Sequence, residues 1–206
     1  MPACPINCAP MPNRVLTQMT IALLAACAAC AADHDSTAGT NAPPAGSCLA
    51  AGDGALHARL RGALNADLDW ANAQMSCEGG VRPDGAGLRV SIAGPFPGQQ
   101  EDSAATRLRF VFGMDLKDAA AGPAQALPTN LTVIVEGQKQ IFATRGSDRC
   151  AVETLARTPL PAASGKPERV QARGYCTVPA VDAGTGDSLL VATFEFIARV
   201  EVEDKP

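Results

Sequence analysis

Apolar and polar residues alternate along most of this chain, and that period of two predicts strands. The clearest run closes the sequence. Leu190, Ala192, Phe194, Phe196, Ala198, Val200 and Val202 share one phase, while Thr193, Glu195, Arg199, Glu201 and Glu203 share the other. A one-residue slip would expose the whole apolar set, so the register is strongly specified. Leu108, Phe110, Phe112 and Met114 alternate in the same way with Arg107, Arg109 and Gly113. Segments 74–81 and 88–93 flank Arg82-Pro83-Asp84-Gly85, whose Pro-Asp-Gly chemistry predicts a hairpin turn. Segments 131–136 and 139–144 flank Gly137-Gln138, a second tight hairpin. Segments 150–156 and 168–177 add two more strands, parted by a Pro-rich loop.

One stretch fits two templates. Leu56, Leu60, Leu64 and Leu68 recur at helical spacing, yet Leu60, Gly62, Leu64, Ala66, Leu68 and Trp70 also alternate strictly with Arg61, Ala63, Asn65, Asp67 and Asp69. The alternation accounts for every polar residue, whereas a helix leaves Asp67 beside the apolar stripe, so a strand is expected. Residues 114–130, broken by Gly122-Pro123 and Pro128, are too long for a hairpin loop. That run is expected to be a functional loop or a crossing between sheets. About nine strands, many turn signals and no convincing long helix predict an all-β fold, an antiparallel β-sandwich or a flattened barrel.

Composition refines this picture. The 206 residues, less the leader and linker described below, leave roughly one domain at about 150 residues per domain. The net charge is −4, and without residues 1–26, whose one charged residue is Arg14, it becomes −5. With no Lys/Arg run, the chain lacks the electrostatic footprint of a nucleic-acid binder.

The beginning of the chain has its own pattern. Arg14 precedes an uncharged stretch from Val15 to Ala32, whose truly apolar part, residues 21–26, has the length of a signal-peptide core. Cys4 and Cys8 lie in a Pro-rich leader that fits no signal-peptide n-region, so Met11 is the expected start of translation. Leu24-Ala25-Ala26-Cys27 ends the apolar run and resembles the lipobox of bacterial lipoproteins. The resemblance covers only residues 11–27. It implies a signal peptide over residues 1–26, a lipid on Cys27 and anchoring to a membrane through that lipid. Ala28 stands where an inner-membrane lipoprotein of that family commonly carries Asp, which implies the outer membrane. Residues 27–47 have no apolar period and are expected to form a flexible tether, with the folded domain occupying residues 48–206. Neither Cys27-Ala28-Ala29-Cys30 nor Asp33-His34-Asp35 sits in the ordered setting that redox or metal chemistry requires.

An exported domain permits disulfides. Cys48, Cys77, Cys150 and Cys176 allow three pairings. Cys48–Cys77 and Cys150–Cys176 are expected, because each pair brackets one local strand unit. No two of the four have the short spacing of a zinc site.

Candidate chemistry is sparse. His57 is the only histidine in the domain, with no partners indicated for a catalytic triad. No HExxH, P-loop or complete GxGxxG implies a metal or a cofactor; Gly184-Thr185-Gly186 precedes a strand and reads as a turn. Asp67 and Asp69 share one strand face with Cα atoms about 6.6 Å apart. Glu201 and Glu203 repeat that geometry, and all four are expected on a solvated face. Trp70 shares its phase with Leu64 and Leu68 and is expected in the core. Asn130-Leu131-Thr132 matches a glycosylation acceptor but reads as the beginning of a strand. The expected function is non-catalytic: an envelope protein that presents a β-sandwich to a periplasmic or surface partner. The alternative is an exported hydrolase with carboxylates gathered from separate strands.

Overall fold

The computed structural model describes residues 48–97, 106–117 and 126–202. They form eleven strands joined by antiparallel pairings only, in an all-β fold. The expected leader, tether and Cys27 lie outside the described residues, as does Glu203.

The first strands are β1 (Ala55–Gly62) and β2 (Ala66–Ala71), followed by a 3-10 turn, Asn72–Gln74. Next come β3 (Ser76–Val81), β4 (Gly87–Pro95), β5 (Arg107–Asp115) and β6 (Leu127–Glu136). Short β7 (Gln140–Ala143) precedes the long hairpin of β8 (Cys150–Pro159) and β9 (Pro167–Cys176). The three-residue β10 (Ala180–Asp182) leads into β11 (Ser188–Glu201), at 14 residues the longest strand.

β11 is the hub. It pairs with β1 on one edge and with both β9 and β10 on the other. Two routes then connect β11 to β6, one through β9 and β8 and the other through β10 and β7. From β6 the sheet continues through β5 and β4 to β3. There it curls back: a Cβ on Gly79 would lie 2.8 Å from Val200 Cγ1, and one on Gly80 would lie 2.9 Å from the Glu201 carbonyl oxygen. Only glycine permits that approach, which flattens and nearly closes the barrel.

The enclosed face carries a chain of aromatic rings. Trp70 meets Phe110 edge-on at 5.7 Å, and Phe112 lies 4.8 Å from both Phe194 and Phe196. Gly94 makes room for the indole, since a Cβ there would lie 2.5 Å from Trp70 Cδ2. Trp70 is therefore a core residue, as its phase predicts. The disulfides Cys48–Cys77 and Cys150–Cys176 form as expected. Cys77 Sγ also accepts the Arg199 N–H at 3.4 Å, just past the end of the β1–β11 pairing at Ile197.

Four expectations need correction. Eleven strands replace about nine, because a three-residue β10 shows no alternation to count and the stretch around Leu56–Trp70 makes two. Those residues are a hairpin: Leu56 faces Trp70 and Ala58 faces Leu68, so the helical leucine spacing is a by-product of two strands read through a turn. The run after Met114 joins β5 and β6, consecutive antiparallel strands that pair directly, so despite its length it links a hairpin and does not cross between sheets. Asn130 lies inside β6 and not at its start.

The fourth correction concerns β11. Its inward residues are Leu189 and Val191, then Phe194, Phe196, Ala198 and Val200. Arg59 faces Thr193 while Leu60 faces Val191, so Ala192 is an extra, bulged residue that switches the phase. Leu190 and Ala192, expected inside, are only half-buried on the other side. Substitution separates the two registers. Leu189→Ala should cost about 2–5 kcal/mol in urea unfolding, whereas Leu190→Ala should cost about 1 kcal/mol or less.

Candidate binding face

The outward phase of β1, β2, β9 and β11 collects the polar residues singled out in the sequence. Register fixes their neighbours. His57 stands between Asp69 on β2 and Glu195 on β11, and Glu195 faces Arg173 on β9. The row Asp69–His57–Glu195–Arg173 thus runs across four strands with alternating character. A parallel row places Arg59 between Asp67 and Thr193. Apart from Asp69, these residues line a shallow open groove of about 340 Å³.

The side chains within it are largely occupied. His57 Nδ1 lies 3.1 Å from Asp69 Oδ1, with more than half of each side chain exposed. Asp67 Oδ1 takes Arg61 Nη1 at 2.9 Å and Arg59 Nε at 3.6 Å. The hydrogen bond from Arg61 holds the Asp67 carboxyl below its ordinary range, against a smaller opposing effect of desolvation. Asp67 and Asp69 do share a face, as expected, but they turn to different partners. Exposed pairs of this kind contribute little to stability. Glu201 pairs with Arg199 on its own strand.

The opposite outer face, on β3 to β6, is organised by Arg109. Its Nε donates to Glu136 Oε1 at 2.8 Å, and its Nη1 reaches Glu78 Oε1 at 3.1 Å and Ser91 Oγ at 3.0 Å. The guanidinium lies over Ser91, which is wholly buried. That arrangement is a lid on the sheet and engages both Nε and Nη1 of the arginine.

Sequence reasoning overlooked Glu195 and Arg173, whose association depends on strand order. It also overlooked Asp182. This buried carboxylate accepts the Ile141 N–H at 2.7 Å and the N–H groups of Gly184 and Thr185 at 2.8 Å each. It closes the 184–186 turn, as the glycines there predict, and ties β10 to β7. Among the described residues no cluster of three or more His, Cys, Asp or Glu side chains could hold a metal ion, and no helix is long and apolar enough to cross a membrane. Compared with family models, curated proteins and solved structures, the chain matches none.

The backbone donors of Thr185, then Ile141, depress the Asp182 pKa. Its contribution to stability is therefore complete above the ordinary carboxylate pKa and fades as pH falls through the lowered folded value. Asp182→Ala should lower the melting midpoint by several degrees at neutral pH. The gap from wild type should narrow in acid, where scanning calorimetry at several pH values will detect it.

Proposed function

We propose that this chain is an exported, lipid-anchored protein of the cell envelope, held at the outer membrane through Cys27, whose β domain binds a partner without catalysis. The observation that carries the second half is the engagement of Asp67 and Asp69 by Arg59, Arg61 and His57. A general acid needs a carboxyl whose pKa is raised toward the working pH. Asp67 is shifted the other way, by arginine. With Trp70 taken by the core, no tryptophan remains as a stacking platform for sugars. Mixed charges in register across four strands suit a protein surface of complementary pattern, which favours an envelope protein as the partner.

The hydrolase alternative has one specific observation in its favour. His57 with Asp69 on Nδ1 is two-thirds of a triad, and Glu195 stands on the neighbouring strand. Among the described residues, however, no Ser, Thr or Cys side chain hydrogen-bonds to His57. A triad also needs its nucleophile within reach of the base.

Two experiments test the parts separately. Cys27→Ser should abolish incorporation of labelled fatty acid and release the protein from the membrane fraction. Persisting label would move the site elsewhere or end the lipoprotein reading. The purified protein should turn over none of a panel of ester, peptide and glycoside substrates. Turnover lost in His57→Ala or Asp69→Asn, with the fold intact, would establish the hydrolase instead.

A further inference from the structure

A second groove lies on the other outer face and holds a cation without a partner among the described residues. Its centre is a row across four strands in which Gly80 faces Arg89, Arg89 faces Gly113 and Gly113 faces Asn130. Arg89 is thus flanked on both sides by residues with no side chain. Among the described residues it has neither an ion pair nor a side-chain hydrogen bond. The adjoining row brings Val111 and Thr132 together. The depression over Gly113 measures about 310 Å³ and is walled by Arg82 and Arg89 on one side and by Asn130 and Thr132 on the other.

Arg82 supplies the second observation. At the β3–β4 turn its Nη2 donates to Asp84 at 2.8 Å, while its Nη1 is buried with no hydrogen-bond partner. A buried guanidinium donor left unsatisfied is costly, and an incoming acceptor recovers that cost. Among the described residues of the lining Asp84 is the one acidic side chain, and it is already engaged. Besides Arg82 it accepts the Ala86 N–H at 3.0 Å, the larger cause of its lowered pKa. Gly113 is required by the geometry, because the Asn130 side chain occupies the place where a Cβ would stand.

We propose that this groove is an oxyanion-binding site, taking a phosphate or carboxylate group on a small molecule or polymer. Arg89 is its principal cation. Asn130 and Thr132 hydrogen-bond from the far wall. Arg82, which also lines the groove, turns its buried Nη1 out toward the ion as it enters. Two guanidinium groups facing one oxyanion form charge-assisted bonds, roughly twice as strong as neutral ones. The site is separate from the His57 face and does not rest on the partner-binding reading.

NMR titration of the isotopically labelled protein with inorganic phosphate, and separately with acetate, tests this. Saturable shifts should centre on the amides of Arg89, Gly113, Asn130 and Thr132, and added sodium chloride should weaken them. The stronger of the two ions identifies the group preferred. Arg89→Gln should weaken binding about tenfold or more, by loss of a charged hydrogen bond. Asn130→Asp, nearly isosteric, should abolish it by placing a negative charge in the groove, while Arg145→Gln, exposed and outside both grooves, should leave ion binding unchanged. Shifts that never saturate with either ion, that spread over every arginine, or that survive Arg89→Gln would overturn the proposal.

Discussion

The inward phase of β11 is the constraint on which the rest of this domain depends. Phe194 and Phe196 both press against Phe112 from the opposite wall, and the same strand reaches β1, β9 and β10 along its edges. A Cβ on Gly174 would lie 2.1 Å from the Ala151 carbonyl oxygen and 2.7 Å from Phe194 Cζ, so a glycine there serves both the β8 backbone and the ring. Fourteen residues cannot keep one strict alternation against partners that diverge. The bulge at Ala192 absorbs the difference, and Leu189 and Val191 stay inside despite the break. Local twist and bending at such bulges allow one strand to serve both halves of a flattened barrel.

Where β1 leaves β11, the Cys48–Cys77 disulfide takes over as the tie. Beside it Asn72 accepts the Leu49 N–H at 2.8 Å and the Gly54 N–H at 3.2 Å, fixing the segment ahead of β1. Cys150–Cys176 joins directly opposed residues at the start of the β8–β9 hairpin. The loops of 29 and 26 residues each correspond to about 3.5 kcal/mol of chain-entropy restriction, before strain. With the inner phase given to aromatics, the outer phase is left to charge. Register then decides which charges meet: it sets His57 beside Asp69 and Arg59 beside Asp67 on one face, and leaves Arg89 between two glycines on the other.

Alternation made the strands legible, and the Pro-Asp-Gly and Gly137 turns made two hairpins legible. Position of a strand in the sheet was not. The row Asp69–His57–Glu195–Arg173 joins residues from Asp69 to Glu195 because β1 happens to pair with β11, a fact no local period contains. Asp182 was missed for a related reason: its donors come from β7 and from its own turn, so its sequence neighbours look like any loop. The bulge at Ala192 escaped because alanine and leucine fit either phase of the alternation. Trp70 and the two disulfides were read correctly, since each follows from phase or from bracketing a local unit. The groove over Gly113 went unseen because its defining feature is the lack of side chains beside Arg89, visible only once four strands are aligned.

Native-state hydrogen exchange measures the central claim most directly. If β11 is the hub, the amides of Phe194 to Val200 and their partners on β9 should exchange only through global unfolding, with a free energy equal to that from denaturant melts. Exchange of those amides through cheaper local openings, while β3 to β6 stay protected to the global limit, would contradict it and shift the organising core to the opposite wall.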